Sequence, residues 1–165
     1  FEGYAFPIIR YAEVLLNYAE AMYELGTTGK ALDDALNISL NLVRLRVNPD
    51  MPKLTTSFVS ENSLDMREEI RRERTIELYN EGFRIDDLKR WNTAIVEMPK
   101  PILGVKWTGT DFATSWAGAS TMAKDSEGCL ILEGGRRWGS KNDLYPLPVD
   151  QCQLNPNLGQ NPGWQ

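Results

Sequence analysis

Histidine is absent from this 165-residue sequence, and cysteine occurs only twice, as Cys129 and Cys152. Without histidine, the chain cannot carry out Ser-His or Cys-His catalysis or coordinate zinc through imidazole. The two cysteines lie too far apart in sequence for a CxxC redox motif or a zinc ribbon. They could form a disulfide in an oxidising compartment, although two isolated thiols are more often unpaired. We therefore assign no metal-ligating residue and expect no cofactor, while calcium binding and the pairing of the two thiols stay open.

Positive charge and long apolar runs are also scarce. Lys and Arg total 18 against 23 Asp and Glu, which gives a net charge of −5 and excludes the basic footprint of a nucleic-acid-binding protein. No run of about 18 apolar residues is present, so the sequence predicts no membrane span. The chain begins FEGYAF, without an initiator Met. We expect it to be a piece of a longer protein, whose export signal or lipid anchor would lie upstream.

Helical periodicity dominates the first 96 residues. The segment PIIRYAEVLLNYAEAMYELG, from Pro7 to Gly26, predicts a helix of about 18 residues with Gly26 as its C-terminal cap. The segment TTGKALDDALNISLNLVRLRVNP predicts a second helix that ends before Pro49. Because only a few residues join them, the two helices must run antiparallel, as in a tetratricopeptide-type hairpin. The narrow polar stripe of the first helix consists of Arg10, Glu13, Asn17, Glu20 and Glu24.

A second pair of helices is predicted after a Pro- and Ser-containing link over 48–62. The segment SLDMREEIRRERTIELYNEG predicts a third helix, capped by Asn62 or Ser63 and stopped at Gly82. The segment RIDDLKRWNTAIV predicts a shorter fourth helix. Residues 1–96 should therefore form two helical hairpins.

Periodicity is lost after the fourth helix. Residues 97–143 predict a long irregular excursion with at most short strands, such as 129–133, and residues 144–165 form a turn-rich C-terminal segment. Long ordered loops are often functional. The predicted fold class is mainly α, with tetratricopeptide-like antiparallel hairpins and a long irregular loop region, in a single domain over 1–165.

A column of acids runs along the third helix. Glu69, Glu73 and Glu77 stand four residues apart, and like charges at this spacing repel. Exposed charges would each contribute little to stability, but apolar residues lie around the helix between the acids. We therefore expect arginines from neighbouring helices to pair with the column, which Glu81 continues. The candidate cations are Arg10, Arg84 and Arg90.

The same acids resemble a catalytic pair only superficially. Glycosidases use two carboxyl groups about 5 to 10 Å apart, yet carboxylates at helical spacing are far commoner than active sites. The sequence shows neither a pocket nor a reason for a raised acid pKa. We therefore assign no catalytic role to Glu73 or Glu77.

Five tryptophans form the other conspicuous group. Trp107, Phe112 and Trp116 lie among Gly and Thr, with no amphipathic element to bury them, so we expect them to be exposed. Flat apolar rings of this kind can stack on sugar rings, which makes the three residues candidates for a ligand-binding platform. The segment EGGRRWGS lacks the Gly-Lys-Ser/Thr ending of a phosphate loop, and a turn between short strands is the better interpretation.

Three landmarks occur in order along the chain: RYAEVLLNYAEA, IRRERTIELYNEGFRIDDLKRW and YPLP followed by LNPNLGQNPGW. Together they resemble the C-terminal part of the SusD/RagB family, which comprises lipid-anchored, outward-facing glycan-binding proteins of the Bacteroidetes outer membrane. The resemblance covers 8–26, 66–92 and 145–164, whereas 97–143 shows no recognisable pattern. It implies a tetratricopeptide-like fold that binds glycans without catalysis, for uptake through a SusC-like TonB-dependent transporter.

The resemblance also implies a structural clasp between helices. Its residues are Arg10, Glu20, Arg71, Arg74, Glu77, Gly82, Arg84 and Trp91. In this interpretation Gly82 permits the sharp reversal that brings Arg84 back toward the third helix. Glycan contacts vary within the family and come largely from upstream chain, so no ligand residue is carried over. Two alternatives stay open: a helical protein-interaction scaffold without its own ligand and, with less support, a carbohydrate-active hydrolase.

Overall fold

The structure is a computed structural model that describes residues 8–164, except for the side chain of Ala117. Within these residues the chain is mainly helical, with two short strands. The helices are α1 (Tyr11–Glu24), α2 (Gly29–Asn37), α3 (Leu40–Val47), α4 (Thr56–Glu61), α5 (Met66–Glu77), α6 (Phe83–Arg90), α7 (Ala94–Glu97), α8 (Phe112–Ser115) and α9 (Val149–Leu154). The strands are β1 (Ile102–Lys106) and β2 (Cys129–Glu133), and 3-10 turns cover Ala117–Ala119 and Ser140–Asp143. The predicted fold class is confirmed.

The chain divides into two compact units, Phe1–Arg84 and Ile85–Gln165. The single domain predicted over 1–165 stays a prediction beside this division. None of the helices within residues 8–164 is both long enough and apolar enough to cross a bilayer.

The first helix, α1, has 14 residues and begins at Tyr11. The start predicted at Pro7 lies outside the described residues. At the other end Gly26 adopts a φ of +82°, and the Gly26 and Thr27 amides donate to the carbonyls of Tyr23 and Met22. This is the Schellman arrangement, in which a glycine tolerates the left-handed backbone and the last carbonyls of the helix gain donors. The predicted glycine cap is confirmed.

The second predicted helix is wrong as a single element, because α2 and α3 are separated at Ile38 and Ser39. Ser39 has φ −136° and ψ −100°, and its buried hydroxyl donates to the Ala35 carbonyl at 2.6 Å. A serine hydroxyl that donates to the carbonyl four residues earlier competes with the backbone N–H groups for that acceptor. This competition favours a bend in the helix. The apolar periodicity runs through this break, so periodicity alone could not show it.

The third and fourth predicted helices have different ends from those expected. The cap of α5 is Asp65, whose carboxylate accepts from the Glu68 amide at 2.9 Å, whereas Ser63 has a positive φ and cannot take the extended backbone of a cap. The third helix ends at Glu77 and not at Gly82. The predicted link contains an additional short helix, α4, capped by the Thr55 side chain.

The fourth helix is interrupted at Asn92, which separates α6 from α7. Asn92 has a φ of +57°, and the Asn92 and Thr93 amides donate to the carbonyls of Lys89 and Leu88. Asparagine thus takes the position that glycine holds at the end of α1, because its short polar side chain tolerates left-handed backbone.

The core of the first unit lies between α1, α2, α3 and α5, and α1 contacts the other three. Its buried residues are Leu16, Ala19, Leu32, Leu36, Leu40, Val43, Leu54, Met66, Ile70 and Leu78. The buried Asn41 amide accepts from the Leu54 N–H at 2.8 Å and donates to the Leu54 carbonyl at 3.0 Å. This pair of bonds ties the link after α3 to the core, where unpaired backbone groups would be costly.

The second unit contains an antiparallel hairpin of β1 and β2, with Leu103 opposite Ile131 and Lys106 opposite Cys129. The expected strand over 129–133 is present. A small core of Trp107, Ala119 and Leu130 lies beside the hairpin, with Ala113 and Met122 packed against it. Cys129 and Cys152 are free thiols.

Candidate functional site

Arg10 lies just before α1 and contacts two acids: Glu77, the last residue of α5, and Glu81, four residues beyond it. Its Nη1 donates to Glu77 Oε1 at 2.9 Å and its Nη2 to the Glu77 carbonyl at 2.9 Å. Its Nε and Nη2 also donate to the two carboxylate oxygens of Glu81, at 2.9 and 2.6 Å. The hydrogen bonds to Glu81 first, and to Glu77 second, raise the pKa of Arg10 above its ordinary value. The guanidinium therefore stays charged and bridges α1 to α5.

Glu77 has a second cationic partner that the sequence analysis missed. Arg46 of α3 donates through Nη2 to both carboxylate oxygens of Glu77, each at 2.9 Å. The Glu77 side chain is 11% exposed and that of Arg46 is 60% exposed, so water screens the Arg46 contact more than the contact with Arg10. One carboxylate thereby joins α1, α3 and α5. The basic last turn of α3 was the sequence signal that could have indicated this partner.

Glu73, one turn earlier, faces the buried Arg44 of α3, with Arg44 Nη1 and Glu73 Oε2 3.6 Å apart. Burial raises the pKa of Glu73, while the charges of Arg44 and Arg72 act in the opposite direction. The sequence analysis did not identify Arg44. Within α5, Arg72 Nη1 donates to Glu69 Oε1 at 3.2 Å.

The remaining clasp residues occupy several environments. Arg74 is buried, donates to Asn17 Oδ1 at 2.7 Å and lies over the Phe83 ring at 5.4 Å. Arg71 lies 3.5 Å from Glu68. Glu20 is buried on α1, and the Arg90 guanidinium lies 4.9 Å from the centroid of the Trp91 ring. The clasp role of these residues stays a prediction.

Gly82 and Arg84 form the turn after α5. Gly82 has a φ of +89°, which favours glycine. Arg84, expected to face the acidic column, donates instead to the Thr75 hydroxyl at 2.8 Å. Arg90 Nε donates to Asp87 Oδ1 at 2.9 Å. Of the three cations proposed for the column, the structure places Arg10 on it.

A cavity of about 430 Å³ opens beside Arg10 in the first unit. Its lining residues are Arg10, Tyr11, Ala12, Leu15, Leu42, Val43 and Arg46. No carboxylate belongs to this lining within the described part of the chain, so the cavity does not offer the pair of acids that glycoside hydrolysis requires. No group of three or more His, Cys, Asp or Glu side chains in residues 8–164 is arranged to hold a metal ion.

The aromatic platform differs from expectation at one position. Trp107 is 5% exposed and packs on Ala119 and Leu130, so the expected exposure of this residue is wrong. Trp107 directly follows β1, and its backbone N–H donates to the carbonyl of Gly128, the residue before β2, at 2.8 Å, which holds it against the hairpin. Phe112 and Trp116 are 51% and 54% exposed, as expected.

Trp107 supports Trp116 from behind. The two ring centroids are 6.1 Å apart with an interplanar angle of 62°, an edge-to-face contact of the kind that aromatic pairs favour. Phe112 begins α8, and Trp116 directly follows it. The hydroxyls of Thr114 and Ser115 donate to the Asp111 carbonyl at 2.8 and 2.9 Å, which holds this short helix. Two exposed rings therefore project from a locally braced turn.

Comparison with known proteins identifies the family. The model of the SusD family matches residues 1–164. The chain belongs to the SusD family. This confirms the resemblance indicated by the three landmark segments. No curated protein sequence matches the chain.

Two solved structures of SusD-like proteins from Bacteroides fragilis are similar to this chain. One is described as a SusD-like carbohydrate-binding protein; it is 30% identical with a TM-score of 0.69, and the match covers 93% of this chain and 28% of that protein. The other is described as a SusD-like protein; it is 30% identical with a TM-score of 0.63, and the match covers 94% of this chain and 25% of that protein. The chain thus spans about a quarter of the length of these SusD relatives.

Proposed function

We propose that the protein containing this chain captures glycans at the cell surface without cleaving them and delivers them to a SusC-like TonB-dependent transporter. In this proposal the complete protein faces outward from the outer membrane, held by an N-terminal lipid anchor. The observation that carries the proposal is the SusD family match over residues 1–164. A SusD-like relative of known structure is described as carbohydrate-binding, and this description supports the ligand class.

Phe112 and Trp116 are the proposed glycan contacts of this chain. Sugars present flat C–H faces that pack on aromatic rings, and a ring that is already immobile loses little entropy on binding. Trp116 is braced by Trp107, so Trp107 acts in this proposal as a positioning residue and not as a contact. Asp111 lies beside Phe112 with an exposed side chain that could accept a hydrogen bond from a sugar hydroxyl.

The absence of catalysis is part of the proposal. Glycoside hydrolysis needs one carboxylic acid and one carboxylate aimed at the same bond. The acids of the α5 column point to guanidinium groups instead, as Glu77 does to Arg10 and Arg46. The raised pKa of Glu73 has burial as its main cause, in a site that faces Arg44.

Titration of a glycan panel against the complete protein by calorimetry tests this function. We expect Trp116→Ala and Phe112→Ala each to weaken binding of the recognised glycan by about tenfold, because each removes an aromatic contact. The matched control is Tyr79→Ala, since Tyr79 is an exposed aromatic residue in the first unit. Equal affinities for all three variants would remove Phe112 and Trp116 from the site. Release of reducing ends from a bound polysaccharide would refute the non-catalytic role.

A protein-interaction scaffold is the second candidate function. Tyr11, Val14 and Tyr18 are exposed and lie three and four residues apart, on one face of α1. An apolar helix face of this kind is a common docking surface. Purification of the complete protein with its transporter, in the presence and absence of glycan, separates the two functions. Assembly together with a lack of any glycan binding would favour the scaffold.

A further inference from the structure

Three lysines of the second unit lie over aromatic rings. Lys124 also donates to two backbone carbonyls, whereas the rings are the partners of Lys89 and Lys141 in the described residues. The Lys89 ammonium lies 3.9 Å from the centroid of the Tyr145 ring and 5.7 Å from that of Trp138. The Lys141 ammonium lies 4.8 Å from the centroid of the Trp164 ring. Neither ammonium forms an ion pair or hydrogen bond with any residue in the part of the chain that the structure describes. By contrast, Lys100 pairs with Glu97.

The segment that carries these rings is fixed by its own hydrogen bonds. Trp138 Nε1 donates to Asp143 Oδ1 at 2.9 Å, which engages the single acid of residues 138–145. Trp164 Nε1 donates to the carbonyls of Lys141 and Leu144, at 2.8 and 2.9 Å. The Trp138 and Trp164 rings are therefore positioned before any ligand arrives, which lowers the entropic cost of binding.

We call Lys89, Trp138, Lys141, Tyr145 and Trp164 the cationic aromatic surface. Tyr145 is 70% exposed and Lys141 is exposed, while the other three residues are half-buried. Arg136 and Arg137 directly precede this segment and add positive charge. The chain has a net charge of −5. Even so, Lys89 and Lys141 lie next to accessible rings and have no acidic ion-pair partner among residues 8–164.

This combination suits a sugar that carries a negative charge. The ring faces can pack against the C–H face of the sugar, while an ammonium binds its carboxylate or sulfate through a charge-assisted hydrogen bond. A neutral sugar would pack on the rings but would offer no anionic group for the lysines to bind. The surface differs in this respect from Trp116, whose ring packs edge-to-face on Trp107. The Lys124 ammonium, which lies 5.7 Å from the centroid of the Trp107 ring, donates to the carbonyls of Ser120 and Met122.

We propose that the cationic aromatic surface binds the anionic groups of acidic glycans, either uronic acid carboxylates or sulfate esters. The proposal rests on the glycan-binding function proposed above and specifies the class of glycan. Lys89 and Lys141 are the residues that discriminate charge, and Tyr145 is the accessible stacking ring. Because both cations are near the surface, binding should weaken as salt screens the attraction.

The test is a glycan array with neutral, uronate-containing and sulfated members, probed with the complete protein. Two matched pairs then isolate the charge: oligogalacturonate with its methyl ester, and a sulfated galactan with its desulfated form. We expect the acidic member of at least one pair to bind about tenfold more tightly, and the pair concerned shows whether carboxylate or sulfate is read. Array binding confined to neutral glycans, or equal affinities within both pairs, would overturn the inference and leave the proposed function standing. Binding of no glycan at all would overturn both.

Three substitutions assign the effect to this surface. Lys89→Met and Lys141→Met keep the apolar stem and remove the charge, and each should weaken the acidic glycan about five- to tenfold while leaving the melting temperature and the affinity for its uncharged partner unchanged. Lys141→Arg should retain binding. Lys53→Met is the control, because it removes the same charge from an exposed site in the first unit. The inference fails if all three lysine-to-methionine variants bind the acidic glycan equally well.

Discussion

Arg10 and Glu77 are joined through both side chain and main chain. One nitrogen of the Arg10 guanidinium contacts the Glu77 carboxylate and another contacts the Glu77 carbonyl, both at 2.9 Å. The last turn of α5 would otherwise leave that carbonyl without an intrahelical donor. Arg10 thus caps the C-terminal end of α5, although it lies 67 residues earlier in the sequence. It also neutralises the Glu77 carboxylate. The two contacts of the Arg10 guanidinium, with the carboxylate and the carbonyl of Glu77, therefore fix the position of α1 against α5.

Removal of the Glu77 carboxylate should destabilise the first unit. Glu77→Ala removes the carboxylate that accepts from Arg10 and Arg46, while Arg10 keeps its bonds to Glu81. A hydrogen bond to a charged group contributes about 1.5 to 3 kcal/mol, and less where a partner is exposed. We expect the free energy of unfolding, measured by urea denaturation, to fall by roughly 1 to 3 kcal/mol. Glu61→Ala is the control, since Glu61 is an exposed glutamate on α4. Equal losses in the two variants would mean that the clasp contributes no stability.

The buried pair of Arg44 and Glu73 should be replaceable as a unit but not singly. Arg44→Met leaves the Glu73 carboxylate buried without its cation, and we expect a loss of about 3 kcal/mol. The double variant Arg44→Met/Glu73→Leu should regain most of this loss, because the Arg44 Nε makes no hydrogen bond within residues 8–164 and little polar bonding is sacrificed. A double-mutant cycle measured by denaturation checks the coupling. Additive losses would contradict it.

Stability should depend on pH through Glu73. Burial raises its pKa above the ordinary 4.5, so the folded protein holds this proton more tightly than the unfolded chain does. The contribution of Glu73 to stability is therefore greatest at low pH and falls as pH rises from 4.5 through the folded pKa.

The pH series compares the protein with Glu73→Gln, and the readout is the slope of unfolding free energy against pH. We expect the fall with rising pH to be shallower in the variant, because its amide does not titrate. NMR titration of the Glu73 carboxyl carbon should independently give a midpoint above 4.5. Identical slopes, together with a midpoint at or below that value, would contradict this prediction.

Gly82 should resist substitution for reasons of backbone strain alone. A Cβ at this position would meet no atom within 4 Å, but the φ of +89° disfavours any residue that has one. We expect Gly82→Ala to cost about 1 to 2 kcal/mol of unfolding free energy. Gly159→Ala is the control, because Gly159 has equally open space and no left-handed φ. A neutral Gly82→Ala would show that the turn after α5 can relax.

The helical spacing of apolar residues in the sequence predicted most of the fold class. The apolar spacing of α1 and α5 repeats over several turns, and signals of that length survive the influence of neighbouring residues. The ends of the helices and the breaks within them were harder to predict from the sequence. The break at Ser39 depends on a hydroxyl that finds the Ala35 carbonyl, and the one at Asn92 depends on a left-handed asparagine within an otherwise helical pattern. Both breaks depend on competition between local hydrogen bonds, and the spacing of apolar residues does not reveal which bond forms.

The sequence by itself determined the helical class, the family landmarks, the acidic column on α5 and the aromatic character of residues 107–116. Only the tertiary structure decided which arginines answer those acids, because Arg44 and Arg46 reach Glu73 and Glu77 across about 30 residues of chain. It likewise decided that Trp107 is buried and Trp116 exposed. The physical reason is the same in both cases: spacing along a chain places a side chain on a face, but what covers that face depends on how distant segments pack.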